Sequence, residues 1–334
     1  MGNIITFSVI MPCYNSENYI TTALESIKNQ TYPNWELIAV NDGSTDNTLH
    51  ILNKYAKEDN RIKIYCKQNG GYVSAVNVGL DKIKGDYFLF LGSDDYLSKD
   101  LFKNLYDSVC SLSVSPDCIA FRTQKVKNNV LIGIDYKTNF HSLCFEQNTS
   151  LNDYTVKHPE HAAIFSCRDT SKCYKTELLK QLRYFGKYGI DADGIFSMLF
   201  CHRACSFLSV PVDGYFWTIR QDSVSATTSP QKNIDRILNW KMFFDILIHL
   251  NNDEITQFER EYAAVPRNVL AEMCMDLKNS IKYRKFIVKQ AIEYKKFALN
   301  FAPQFITTPI KIISFSPVLF SILYKVKKLI KKSF

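Results

Sequence analysis

Two apolar runs, each ending in a cluster of acids, constrain this chain more than any other feature of its 334 residues. Glu36-Leu37-Ile38-Ala39-Val40 runs into Asn41-Asp42-Gly43-Ser44-Thr45-Asp46, and Tyr87-Phe88-Leu89-Phe90-Leu91 runs into Gly92-Ser93-Asp94-Asp95. Apolar runs of this kind read as buried strands, the habit of parallel sheets covered on both faces. Phe7-Ser8-Val9-Ile10-Met11-Pro12 is a third such strand, stopped by proline, and Ile62 to Cys66 is a fourth. Between them lie helical stretches: one with Ile20, Ala23, Leu24 and Ile27 on a single face, then Thr45 to Tyr55 and Ser74 to Ile83. Strands alternating with helices across short turns predict an α/β fold, a mostly parallel sheet flanked by helices. Open sheets of this class bind ligands outside the carboxyl ends of their strands, where both acid clusters fall.

An adjacent pair such as Asp94-Asp95 suits a hard divalent cation held by carboxylate oxygens together with the phosphates of a nucleotide. Each cluster also has a plainer reading. Asp-Gly after a strand is turn chemistry, Ser44 or Asp46 can cap the next helix, and an Asp pair at a strand end is commonly a solvated loop. Ser16, followed by Asn18 and Tyr19, is expected as a cap near the first helix. The order and spacing of several such elements favour the functional reading.

Six elements in order carry a resemblance to a known family. They are Ser8-Val9-Ile10-Met11-Pro12-Cys13-Tyr14-Asn15, Ser26-Ile27-Lys28-Asn29-Gln30-Thr31, Asn41 to Asp46, Asn69-Gly70-Gly71, Asn77-Val78-Gly79-Leu80, and Gly85-Asp86-Tyr87 running into Ser93-Asp94-Asp95. The first hundred residues resemble the family-2 glycosyltransferases, whose GT-A fold is a Rossmann-like nucleotide-sugar-binding arrangement. The likeness fades through the middle and resumes more loosely between about Cys167 and Ser225.

The resemblance implies an inverting transfer of a sugar from a nucleotide-diphosphate donor, commonly a UDP-sugar, to an acceptor hydroxyl. It implies hexosyl transfer in bacterial cell-surface polysaccharide or glycoconjugate synthesis, onto a glycan, lipid-linked or protein acceptor. Pro12 and Tyr14 stand where the family lines the base pocket, with Asn15 and Asn69 in the same donor-binding set. Asp42 matches the carboxylate that hydrogen-bonds the base. Asp94 matches the acid at the donor ribose and diphosphate, and Asp95 the ligand of Mn2+ or Mg2+, with Asp94 as a further candidate. Asp193 matches the catalytic base, with Asp191 as the fallback, while Arg220 and Ser223 fall where relatives approach the diphosphate. A carboxylate must take the acceptor's proton, so the residue types suit the chemistry. Without the resemblance, Asp193 reads as a helix cap and Arg220 as part of a solvated loop.

Three positions depart from the family pattern. Gly92 stands where a further Asp is usual, Val76 where an Arg precedes the conserved-type Asn, and Ala192 where a Glu precedes the base. They keep a second reading open, a catalytically impaired glycosyltransferase-like binding or scaffold protein. A nucleic-acid-binding module is not expected, because the lysines concentrate in the tail with no recognised binding motif.

The expected catalytic domain spans 1–225, a nucleotide-binding half to about 100 and an acceptor-binding half from 101 to 225. The stretch from Val126 to His161, a mixture of short apolar pieces and polar turns, is expected to help choose the acceptor. Residues 226–334 are expected as a helical C-terminal region, with helices over Ile234 to Leu250 and Phe258 to Lys296. Near its end Ile322, Leu323, Val326, Leu329 and Ile330 share one helical face, and Lys325, Lys327, Lys328, Lys331 and Lys332 the other. A basic amphipathic helix suits an anionic membrane surface, and the net charge of +8 agrees with it. The other reading is a helix docked on its own protein or on a second copy in a homo-oligomer. Ten scattered cysteines without a CxxC, and Met1-Gly2-Asn3 running straight into a strand, predict free thiols in a cytoplasmic protein at the inner face of the membrane. Cys201-His202 with Cys205, and His158 with His161, each lack a second pair of ligands, so neither reads as structural zinc.

Overall fold

In the computed structural model, residues 4–135, 140–166, 169–184, 191–220, 229–247, 264–301 and 307–330 are described; of the expected site residues only Ser223 lies outside them. The chain divides into two compact units, Met1–Ala226 and Thr227–Phe334.

The first unit begins with strict alternation: β1 (Phe7–Cys13), α1 (Ile20–Lys28), β2 (Trp35–Asp42), α2 (Thr48–Glu58), β3 (Ile62–Lys67), α3 (Tyr72–Leu80) and β4 (Tyr87–Phe90). Then come β5 (Tyr96–Leu97), α4 (Leu101–Cys110), β6 (Cys118–Lys127), β7 (Val130–Ile134), β8 (Cys144–Gln147), α5 (Leu151–Lys157), α6 (Ala162–Ser166), β9 (Lys172–Lys175), α7 (Ala192–Cys201) and β10 (Ser206–Thr218). One sheet runs β3-β2-β1-β4-β9-β6-β10-β5, with β7 on β6 and β8 on β10. Its first four strands pair in parallel and β6 is parallel to β10, while β9, β5, β7 and β8 join antiparallel. Buried residues line β1, β2 and β4 almost without a break, which explains why these strands carry unbroken apolar runs.

Helices close both faces. Phe7 on β1 stacks on Phe102 of α4 at 5.0 Å between ring centroids. Across the sheet, Phe196 of α7 meets Phe90 at 5.5 Å and Phe200 meets Tyr174 at 4.8 Å. Gly79 lies where α3 crosses β1, and a Cβ there would overlap the Ile10 side chain. Only glycine permits so close an approach of helix and strand.

Element ends depart from the sequence expectation where loop side chains intervene. Helix α2 starts at Thr48, not Thr45, because Asp46 stands outside it, accepting from Thr48 N–H at 3.0 Å and from Glu17 N–H at 3.0 Å. Ser16 is no cap for α1: its hydroxyl reaches Ser93 Oγ at 2.7 Å, tying the loop after β1 to the one after β4.

The second unit is helical over Pro230–Leu247, Ala264–Met275, Leu277–Lys282, Arg284–Phe301, Thr308–Phe315 and Pro317–Ile330. The single helix expected over Phe258 to Lys296 is broken instead. Asp276 is extended, and its carboxylate caps the next helix by accepting from Lys278 N–H at 3.0 Å. Ser316, likewise extended, ends a helix just before Pro317, as a residue preceding proline tends to do. Among the described residues no helix is long and apolar enough to cross a membrane.

Candidate active site

Asp94 and Asp95 follow β4, at the carboxyl edge of the parallel half-sheet. The two-residue strand β5 pairs with β10 immediately after them, placing Tyr215 opposite Leu97 and Phe216 opposite Tyr96. That pairing delivers two donors to Asp95: Tyr215 Oη at 2.6 Å from Oδ2 and Thr218 N–H at 2.8 Å from Oδ1. Tyr215 Oη also accepts from Gly92 N–H at 3.1 Å. Burial, and then the charge of Asp94, push the Asp95 carboxyl up to about 7, against the pull of Tyr215, Thr218 and Arg220. Arg220 lies just past β10 and donates to Asp94 Oδ2 from Nε at 3.1 Å and from an Nη at 2.5 Å. Its guanidinium also rests over the Tyr19 ring, 4.1 Å from the centroid, linking β10 to the loop after β1.

Gly92 is matched to this arrangement. A Cβ at that position would stand 2.7 Å from Asp95 Oδ2 and 2.9 Å from Asp94 Oδ1, so the carboxylates occupy the room a side chain there would need. Two carboxylate oxygens therefore converge on one small space. The donor set suits a hard cation such as Mg2+ or Mn2+, whose remaining positions would need other oxygens.

The base-pocket candidates lie on the neighbouring strand ends. The strand expected to stop at Pro12 runs one residue further, because β1 pairs with β2 through Pro12 beside Val40 and Cys13 beside Asn41, and Tyr14 beyond it exposes 50% of its surface. Asn15, at φ 46°, works as a brace: its Oδ1 accepts from Thr45 N–H at 2.8 Å and its own N–H donates to Ser44 Oγ at 3.1 Å. Asp42 is buried at the end of β2 and accepts from Lys67 Nζ at 2.6 Å, Gly70 N–H at 3.0 Å and Gly71 N–H at 2.8 Å. It thereby holds the glycine loop, and one lone-pair direction of its two oxygens remains for a further donor. Asn69 supports the same loop, accepting from Gly71 N–H at 3.2 Å.

Asp193 lies in the first turn of α7, partly exposed, while Asp191 takes the N-cap position at φ 62° without a side-chain capping bond. The cap reading of Asp193 thus fails on position. Phe196, one turn on, stacks on Tyr184 at 4.5 Å, and Tyr184 meets Tyr72 edge-on at 6.1 Å. Both tyrosine hydroxyls donate to Asp169 Oδ2, Tyr72 at 3.1 Å and Tyr184 closer. Burial raises the Asp169 carboxyl, with the two hydroxyls opposing. The Tyr72 hydroxyl is pushed well up by burial and then by the charges of Asp169 and Asp193, although the residue as a whole exposes 36% of its surface. Ala192 and Val76 are buried, so these two departures fill core positions, and Asn77 bonds the Tyr184 backbone at 2.9 and 3.1 Å.

Tyr215, Thr218, Lys67, Asp169, Tyr72 and Tyr184 were not legible as site residues. Lys67 alone had a local signal, standing two residues before the Asn69-Gly70-Gly71 turn.

A parallel half-sheet with acids at its strand ends, continued by a mixed half that carries another acid on α7, is the GT-A arrangement of nucleotide-sugar transferases. Residues 8–171 match the model of glycosyl transferase family 2, and this part of the chain belongs to that family. The chain is 33% identical over 200 residues to glycosyltransferase GlyA of Streptococcus pneumoniae serotype 4, covering 55% of this chain and 26% of that protein. It is 31% identical over 275 residues to the minor teichoic acid biosynthesis protein GgaB of Bacillus subtilis (strain 168), covering 81% of this chain and 29% of the relative. The matches thus span less than a third of either relative. Among solved structures, S. aureus TarS 1-349 in complex with UDP-GlcNAc aligns with a TM-score of 0.69 at 22% identity, over 97% of this chain and 92% of that one. At that identity the likeness speaks to the fold.

Proposed function

We propose that this chain is an inverting glycosyltransferase that moves a sugar from a UDP-sugar to an acceptor hydroxyl in the synthesis of a bacterial surface glycan of the teichoic acid or polysaccharide kind. The observation that carries this reading is the convergence of Asp94 and Asp95 beside Gly92, on the strand edge that also presents Asp42 and Tyr14. The UDP and UDP-GlcNAc bound by TarS support the donor class, and the teichoic acid role in the name of GgaB supports the product class.

In this reading Tyr14 and Pro12 pack on the base and Asp42 accepts its N–H. Asp95, with Asp94, would hold Mn2+ or Mg2+, which when bound neutralises charge on the leaving diphosphate. Tyr215 and Thr218 hold Asp95 in place, and the Arg220 fork, already on Asp94, can share its donors with a phosphate. Asp193 takes the acceptor proton as the acceptor oxygen bonds to the anomeric carbon and the bond to the diphosphate breaks. Ser223 would join the diphosphate contacts from the segment after Arg220. In the last helix of the second unit Ile322 and Leu323 are nearly half exposed, which supports a place for that helix at an anionic membrane surface.

The test is transfer and donor hydrolysis across a panel of nucleotide sugars with Mn2+ or Mg2+. Asp193→Asn should lower the transfer rate about 10²- to 10⁴-fold, the usual contribution of a general base, with little change in melting temperature. Equal loss in Asp191→Asn with Asp193→Asn active would move the role to Asp191. Tight UDP binding with no turnover on any donor and acceptor would favour the impaired, scaffold-like reading.

A further inference from the structure

One short stretch of the first unit, residues 144 to 161, folds back on itself and gathers a sulfur and two imidazoles. Cys144 on β8, His158 just after α5 and His161 at the end of a 3-10 turn (Pro159–His161) have ligand atoms within 4.8 Å of one another. Cys144 Sγ is 3.4 Å from His158 Nε2 and 3.7 Å from its Nδ1. Glu160 Oε1 lies 3.8 Å from His158 Nδ1 and 3.6 Å from His161 Nε2. In a tetrahedral site with bonds of about 2.3 Å to sulfur and about 2.0 Å to nitrogen, neighbouring ligand atoms stand roughly 3.3–3.6 Å apart. With Nδ1 as the His158 ligand atom, the separations of 3.7 Å to Cys144, 3.8 Å to Glu160 and, from His161 to Glu160, 3.6 Å lie close to that spacing. One ligand atom from each of Cys144, His158 and His161 lies within 4.8 Å of the others.

The outer atoms of both imidazoles are fixed as metal ligands require. His161 Nδ1 is 2.8 Å from Tyr154 Oη and 3.5 Å from Ser209 Oγ. Its Nε2 is buried, in a residue only 1% exposed, and makes no hydrogen bond among the described residues. A buried imidazole nitrogen left without a partner is costly, and a bound cation would satisfy it. Glu146 Oε1 takes His158 Nε2 at 3.2 Å and is itself held by Lys157 Nζ at 2.5 Å, which leaves Nδ1 turned to the cluster. Carboxylate and hydroxyl groups behind ligating imidazoles are the usual second layer of a zinc site.

We infer that Cys144, His158 and His161, with Glu160 as the fourth ligand, bind one structural Zn2+ that clamps β8 to the end of α5 and the following turn. One sulfur and two nitrogens favour Zn2+ over Mg2+ or Mn2+, and the thiolate and carboxylate together balance the charge of the ion. Four protein ligands leave no open position, so the clamp is structural. It adds a link between β8 and the turn after α5 to the packing already made there by Leu151, Tyr154 and Phe165. Glu160, with 54% of its side chain exposed, closes the site from the solvent side.

The test is zinc content of the full chain purified from zinc-supplemented medium, with cobalt(II) substitution read by absorption. About one zinc per chain is expected, falling at least about ten-fold in Cys144→Ser and His161→Gln and staying in Cys110→Ser, which alters an exposed cysteine outside the cluster. Wild-type protein loaded with cobalt should show both thiolate-to-metal charge transfer and the strong visible bands of a tetrahedral site, a readout that needs no variant to fold. Zinc retained undiminished in both folded variants, or a wild type with less than about a tenth of an equivalent and no thiolate band, overturns the inference.

Discussion

Asp94-Asp95 and Cys144–His158–His161 both gather ligand atoms at short range, but by opposite means. The first pair is adjacent in sequence and lies at a strand end, partly satisfied by Tyr215, Thr218 and Arg220. Hard oxygens whose protein partners can be shared suit an ion that arrives with a phosphate and leaves with it. The second set is drawn from β8 and the turn after α5, uses sulfur and nitrogen, and fixes each imidazole from behind. That arrangement suits an ion that stays. On the two proposals made above, one fold would separate an exchangeable cation station from a clamp by donor chemistry and by the stiffness of the second layer.

The sharpest way to break this separation is to change one station and read the other. Asp95→Asn should cost about 10²-fold or more in divalent-stimulated transfer at saturating donor, whereas Cys144→Ser should keep its stimulation by Mn2+. Near-normal turnover in Asp95→Asn removes that residue from the reaction, and loss of Mn2+ stimulation in a folded Cys144→Ser merges the two stations.

A smaller effect concerns stability without added divalent ion. The Asp95 carboxyl is raised to about 7 by burial, above its ordinary value of 3.8. The folded state therefore holds a proton that the unfolded chain has released. Stability from this group is complete below the ordinary value and is lost as pH rises through about 7, by about 1.4 kcal/mol for each pH unit of separation. Melting curves of Asp95→Asn and wild type in one chelating buffer should diverge in favour of the variant between about pH 4 and 7, then run parallel. A difference independent of pH would mean that Asp95 is ionised throughout.

The smallest effect belongs to the second unit. Ile322→Ser with Leu323→Ser changes two exposed side chains and should weaken binding to vesicles rich in anionic lipid by about ten-fold, leaving transfer to a short water-soluble acceptor intact. Shortening the chain before Pro317 is a poorer test, since Ser321 within that helix is fully buried. Vesicle binding equal in both forms would make the helix a packing element.

The order of elements through β4 was legible because β1, β2 and β4 are buried on both faces and write that environment into consecutive residues, while the edge strand β3 shows it only in part. The acids at positions 42, 94 and 95 were legible for the same local reason, since each terminates such a run. What escaped was whatever depends on a distant partner. Asp95 is held by residues more than a hundred positions away, and the small space above Gly92 exists only because both carboxylates fold over it. Asp276 looked like one more residue of a long helix, and only its extended backbone reveals the break. His158 and His161 were visible as a pair, but Cys144 joins them only through the pairing of β8 with β10, a long-range contact that hydrophobic spacing does not encode. Local burial determines strands, turns and the residues at their ends, and so the sequence by itself determined the class of fold and the acids at its edge. Which side chains meet across the sheet was decided by tertiary structure alone, because that depends on register and crossover, which no single segment carries.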